Sequence, residues 1–253
     1  MKKLIICPGI PRSGTTSLWK MLYDSKIVEG LYKEFHYLSI MHHNNFGNYD
    51  PMYPLELIEP HKMYVLHKNQ KIGLPQPYNL KNYVSYLDSY IKPSDFSQSY
   101  FLLPEDYLRK INEDLRYHFD IKVILMYREP IQRLISYIGM IHHDAGYFGI
   151  KLKEKQDLFL DYVNNPKMQT LYKNVKDKFE RVFDNVICLT TEHFFINQQK
   201  QDELKKFLEV SEIKALSKPQ NVANFNFELH NYYIELANTK LKDSIDFYTT
   251  LLP

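Results

Sequence analysis

The chain has 253 residues, 44% of them hydrophobic, which is enough to bury one sizeable core. Its 32 Lys and Arg residues nearly balance 30 Asp and Glu to a formal net charge of +2. No broad positive field therefore marks a general nucleic-acid binder, and any anion must be caught locally. With no internal repeat and no low-complexity tract, a single domain over residues 1–253 is expected.

In chain order, two lysines precede an apolar run of only four residues before Pro8 and Gly9. That run is too short for a signal-peptide core or a membrane span, so a soluble, cytoplasmic chain without membrane association is expected. Residues 3–7 read as a buried strand, followed by a Gly/Ser/Thr turn and a helix bearing Leu18, Met21 and Leu22 at helical spacing. Residues 44–60 and 68–78 carry the Pro, Gly and Asn of loops, the kind of segment that holds substrate. Residues 83–91 and 105–119 read as helices. Residues 121–127 form a second apolar strand, after which Pro130 stands at the first position of a helix whose apolar face is Ile131, Leu134, Ile135 and Ile138. An amphipathic helix over 171–183, a third strand over 186–189 and a helix over 202–208 follow. Apolar strands alternating with helices predict an α/β fold, a parallel sheet covered by helices on both faces. The two cysteines, Cys7 and Cys188, fall inside the first and third strands, where free thiols of a reducing compartment fit better than a disulfide.

Residues 9–16, Gly-Ile-Pro-Arg-Ser-Gly-Thr-Thr, have the spacing of a Walker A loop, G-x-x-x-x-G-K-[ST], with Thr15 in the place of the lysine. Loss of that lysine argues against ATP or GTP hydrolysis. The anion site survives: a glycine-bearing loop opening a helix aims successive backbone N–H groups at a negative ligand, and hydroxyls of Ser13, Thr15, Thr16 and Ser17 add donors.

The segment from Pro11 to Thr16 resembles the P-[KR]-S-G-T-T loop of the sulfotransferases that use 3'-phosphoadenosine 5'-phosphosulfate (PAPS). The resemblance implies a P-loop NTPase-like sheet, a loop of Arg12, Ser13, Gly14, Thr15, Thr16 and Ser17 gripping the 5'-phosphosulfate, and Arg12 neutralising charge on the transferring group. Residues 127–136, Tyr-Arg-Glu-Pro-Ile-Gln-Arg-Leu-Ile-Ser, are similar to the family's R-[DN]-P-x-x-R-x-x-S element, with Glu129 a mild departure. By this resemblance Arg128 and Ser136 hold the 3'-phosphate. On a helix Arg133 and Ser136 fall opposite the apolar face, where they can meet a ligand. Residues 33–38, Lys-Glu-Phe-His-Tyr-Leu, resemble the K-E-x-H-[FY]-[FL] strand of the glycan-directed, heparan sulfate branch. That implies Glu34 as catalytic base with His36 beside it at the acceptor, and strand alternation would point both to one face.

Two places depart from the family pattern. Ser39 stands where an Asp is frequent, and in residues 95–101 Phe96 occupies a lysine position, which puts a second catalytic lysine in doubt. Residues 191–194 and 207–208 echo the family more weakly, and residues 217–224, with Asn221, match a late loop that closes over the donor. His42–His43 and His142–His143–Asp144 read as solvated side chains without metal-ligand spacing, and Lys151 to Lys155 as a solvated face that could help hold an anionic glycan. The expected protein thus transfers a sulfuryl group from PAPS to a hydroxyl or amine of a glycan or small molecule, releases adenosine 3',5'-bisphosphate, and needs no metal and no nucleic acid. A P-loop small-molecule kinase and a catalytically inactive PAPS-fold binding protein are the alternatives.

Overall fold

The computed structural model describes residues 1–30, 33–46, 55–71, 73–215 and 227–252. The segment 217–224 lies outside the described residues. Strand β1 (Lys2–Ile6) leads into α1 (Thr15–Asp24), α2 (Tyr37–Phe46), α3 (Leu55–Lys71), α4 (Leu80–Asp88) and the two-residue β2 (Ser94–Asp95). A 3-10 turn, Gln98–Leu102, and α5 (Glu105–Leu115) precede β3 (Phe119–Tyr127) and α6 (Pro130–Tyr147). Then come α7 (Lys155–Asn164), α8 (Pro166–Gln169), α9 (Leu171–Val182), β4 (Val186–Thr190), α10 (Thr191–Phe194), α11 (Gln198–Leu208), α12 (Asn231–Lys240) and α13 (Lys242–Thr250).

The sheet has the order β2-β1-β3-β4 and is parallel throughout, with Leu4 opposite Ile121 and Leu125 opposite Cys188. Strand alternation divides its side chains between two cores. Leu4, Ile6, Val123, Leu125 and Tyr127 pack with α4, α5, α6 and α9, whereas Ile5, Cys7, Ile124, Met126 and Leu189 pack with α1 and α11. Both faces are thus covered by helices, as the continuous apolar strands dictate. Helix α9 buries Leu171, Tyr172, Val175, Phe179 and Val182, one stripe at 3.6-residue spacing. Each such side chain contributes about 1.5–3 kcal/mol by leaving water.

Several boundaries differ from the sequence reading for local reasons. The fourth strand, β2, escapes detection because two residues, one of them a carboxylate, carry no apolar pattern. The helix expected to reach Phe119 stops at Leu115, and Phe119 begins β3 opposite Lys2. Helix α4 starts three residues earlier than expected because the Asn79 side chain caps it, accepting the Asn82 N–H at 2.9 Å. The expected loops over 44–60 and 68–78 are partly helical: α2 runs to Phe46, and α3 contains Pro60 and extends to Lys71. The expected strand over 33–38 does not form. Residues 33–36 are irregular and α2 begins at Tyr37, because Ser97 Oγ, not a strand partner, accepts the Phe35 and His36 N–H groups.

The strand order reverses between β1, which is flanked by β2, and β3, which is flanked by β4. The loops leaving the ends of β1 and β3 therefore separate and open a crevice there, the usual ligand position in open α/β sheets. Arg12 follows β1 and Arg128 follows β3.

Candidate active site

The loop after β1 packs closely against the segment that follows β4. Gly14 caps α1 in the left-handed conformation at φ 78°, and a Cβ there would lie 2.9 Å from Thr191 Oγ1, so glycine is required twice over. Thr191 Oγ1 lies 2.8 Å from Ser13 O and 2.9 Å from Tyr127 O and shares its proton between them, tying the loop to the end of β3. Arg12 is itself left-handed at φ 69°, a conformation that costs a non-glycine residue about 1–3 kcal/mol and collects at functional sites. Ser13 is 0% exposed and its Oγ has no hydrogen-bond partner among the described residues. A buried hydroxyl of this kind is a donor with hydrogen-bonding capacity to spare.

The loop after β1 and the helix after β3 meet. Arg12 Nε donates to Ser136 Oγ at 3.0 Å across 124 residues of sequence. Burial, and next the positive charge of Arg128, lowers the Arg12 guanidinium below its ordinary value, while Asp144 opposes them. Two guanidiniums that repel each other at the mouth of a parallel sheet lower their energy by sharing an anion. Arg128 Nε lies 3.8 Å from Glu192 Oε1, and Glu192 Oε2 accepts the Tyr248 hydroxyl at 2.5 Å, so α13 is tied to this corner. Glu129, the departure from the family pattern, still caps α6: its carboxylate accepts the N–H groups of Ile131 at 3.1 Å and Gln132 at 2.7 Å.

Arg133 does not share the position of Ser136. Both are 2% exposed, but the Arg133 guanidinium lies 5.9 Å from the Tyr137 ring centre and 6.0 Å from that of Tyr172. It is a buried cation held against aromatic faces, with no partner for Nε and Nη1 among the described residues, where the sequence suggested a residue turned to the ligand. Helices α7, α12 and α13 pack on α6, which sequence spacing alone does not reveal.

On the other side of the loop, Lys33 Nζ lies 2.8 Å from Thr16 Oγ1 and 3.1 Å from Thr15 Oγ1, and it is ion-paired with Glu34. Gln98 Nε2 donates to Thr15 Oγ1 at 2.7 Å. Glu34 Oε2 is 3.4 Å from His36 Nε2, and His36 Nδ1 is 2.8 Å from Ser99 Oγ. Burial acts to raise the Glu34 carboxyl, but the Lys33 charge and the His36 hydrogen bond outweigh it and hold it well below the usual carboxylate range. Glu34 and His36 thus meet as expected, though by a turn and not by strand alternation, with His36 left-handed at φ 52°.

A buried polar cluster sets that turn. Asp95, 0% exposed, accepts hydroxyl hydrogens from Tyr83 at 2.8 Å, Tyr100 at 2.5 Å and Ser97 at 2.5 Å, and the Ser97 N–H at 3.0 Å. Burial raises the Asp95 carboxyl against the lowering by those donors. Phe96, in the family's lysine position, is a 0% exposed core residue, so a lysine function is absent from that position. The sequence missed Gln98, Thr191 and the Asp95–Ser97 clamp. The only available signal was the Asp-x-Ser spacing at residues 95–97, and nothing in it announces a backbone contact with His36.

Cys7 and Cys188 are free thiols, each pushed up to about 12 chiefly by burial. Among the described residues, no group of three or more His, Cys, Asp or Glu side chains is placed to hold a metal, and no helix is long and apolar enough to cross a membrane. No family model and no curated protein matches the chain.

Proposed function

We propose that this protein is a PAPS-dependent sulfotransferase acting on an acceptor hydroxyl or amine, a carbohydrate by its resemblance to the glycan-directed branch. The observation that carries the reading is the 3.0 Å hydrogen bond from Arg12 Nε to Ser136 Oγ beside Arg128, which joins a phosphate loop to a second basic element at the sheet's switch point. A donor with phosphate at both the 5' and 3' positions uses both elements, whereas an ordinary nucleotide uses one. Ser13, Gly14, Thr15, Thr16 and Ser17 would surround the 5'-phosphosulfate, and Arg128 with Ser136 the 3'-phosphate.

In the proposed reaction the acceptor oxygen or nitrogen forms a bond to sulfur as the bond from sulfur to the 5'-phosphate oxygen breaks. The acceptor proton passes to Glu34, the electron pair leaves with the phosphate, and adenosine 3',5'-bisphosphate is released. Arg12 supports the charge that grows on the bridging oxygen. His36, 3.4 Å from Glu34, orients that carboxylate or contacts the acceptor. A kinase is less well supported. Thr16 Oγ1, in the place of the Walker magnesium ligand, is engaged by an ammonium, and Asp95 is consumed by Tyr83, Tyr100 and Ser97. Isothermal calorimetry tests the reading: adenosine 3',5'-bisphosphate should bind at least about 10-fold more tightly than ADP, and equal affinities would overturn it.

A further inference from the structure

We infer that Lys33 is a donor-binding catalytic residue: its ammonium, delivered from the segment before α2, supplies to the 5'-phosphosulfate the positive charge that the loop itself lacks at Thr15. This rests on the proposed sulfuryl transfer and deepens it by naming a cation that neither phosphate segment contains.

The geometry points to it in three ways. Lys33 Nζ is within hydrogen-bond distance of the hydroxyls of both Thr15 and Thr16, the loop positions that in a Walker loop carry the phosphate lysine and the adjoining hydroxyl. Its side chain is only 12% exposed, so the charge acts where water screens it weakly. Its backbone is fixed: Lys33 O accepts the Phe96 N–H at 3.0 Å, which anchors the segment to the chain just after β2. An ammonium has three donors. The two threonine hydroxyls and Glu34 together occupy them, and each hydroxyl can turn its own hydrogen elsewhere when a phosphosulfate oxygen takes its place. Lys33 also joins the two halves of the chemistry, because the same Nζ touches the loop and the carboxylate of Glu34. Placed between donor and base, it can stabilise the phosphate oxygen that accumulates charge as the bond to sulfur breaks.

The test compares wild type, Lys33→Met and Lys33→Arg by calorimetry with two probes, adenosine 3',5'-bisphosphate and adenosine 3'-monophosphate, which lacks the 5' group. Alongside, Lys33 in the wild type is followed by reductive methylation and mass spectrometry with and without adenosine 3',5'-bisphosphate. The expected result is a loss of about 10-fold or more in bisphosphate affinity for Lys33→Met, with partial recovery in Lys33→Arg and a change under about 2-fold for the 3'-monophosphate. Lys33 should also be shielded from methylation by the bisphosphate. Unchanged bisphosphate affinity in Lys33→Met, or a Lys33 methylated equally with and without ligand, overturns the Lys33 role while leaving the donor assignment standing. Equal losses for both probes reduce Lys33 to a support of the loop and also overturn it. Wild type that binds neither probe overturns the sulfotransferase reading itself, and the Lys33 role with it. The methylation experiment needs no variant, so a misfolded Lys33→Met does not remove the test.

Discussion

Ser97 Oγ accepts the backbone N–H of His36 at 2.7 Å, and it is this contact that turns the chain so that His36 and Glu34 face each other. The same oxygen accepts the Phe35 N–H at 2.9 Å and passes its own hydrogen to Asp95. One buried serine therefore satisfies two amides that have no strand partner.

Ser97→Ala removes the acceptor of both amides and the hydroxyl donor to Asp95 Oδ1, which keeps only the backbone N–H of residue 97. Leaving such groups unsatisfied costs about 1–3 kcal/mol each when fully buried, so a loss of roughly 2–4 kcal/mol in urea unfolding is expected. Turnover should fall together with stability. Wild-type stability in Ser97→Ala would show that the clamp is not what holds the turn.

Arg12→Ala removes the group placed between the loop and Ser136. Loss of one preorganised donor costs on the order of 10²-fold or more in turnover. Radiolabelled PAPS with a verified acceptor should give a much lower kcat and a smaller change in the affinity of adenosine 3',5'-bisphosphate. A change confined to the KM for PAPS would make Arg12 a plain binding residue.

Glu34→Gln keeps the shape of the side chain and abolishes the base, and a fall in turnover of roughly 10² to 10⁴ is expected. Donor affinity should stay near wild type. His36→Ala should lose less, partly through the acceptor KM. Because Lys33 and His36 hold the Glu34 carboxyl below its ordinary range, the free protein keeps this carboxylate ionised to lower pH than an ordinary glutamate, whose midpoint is about 4.3. The acid limb of kcat/KM should therefore carry no Glu34 midpoint above that value; one appearing at pH 5 to 6 would contradict the assignment.

Lys178 tests the linkage of charge to folding away from the site. Its Nζ donates to Leu103 O at 2.9 Å and to Phe101 O, and burial, opposed by Glu105 and reinforced by Arg181, pushes it down to about 8. An unfolded lysine titrates near about 10.4, so through the window from 8 upward the unfolded chain holds a proton that the folded one has released. Stability should rise with pH across that window and the penalty should be fully present below it. Urea unfolding at several pH values should give a gain on the order of 1 kcal/mol after allowance for solvent screening, absent in Lys178→Met.

Cys7 and Cys188, pushed up to about 12, remain protonated thiols at neutral pH. Ellman's reagent should label neither in the native protein and both in guanidinium chloride. Rapid labelling of the native chain would mean that β1 or β4 opens far more readily than its burial implies.

The sequence by itself determined the α/β class, because runs such as Ile121 to Tyr127, Lys122 apart, are apolar on both alternating sets of positions and so demand a layer on each face. It also determined where α1 and α6 begin, since Gly14 and Pro130 act on backbone within a few residues of themselves. Short-range chemistry of this kind is legible because its partners are near in the chain. Only the tertiary structure decided which polar residues meet: that Ser136 faces Arg12 while Arg133, three residues earlier, is buried against Tyr172, and that Lys33 reaches the loop hydroxyls. It also decided that a serine 61 residues away turns His36 toward Glu34. Those pairings depend on how parallel strands and the helices between them stack, and hydrogen bonds between distant segments leave no periodicity in the sequence from which they could be read.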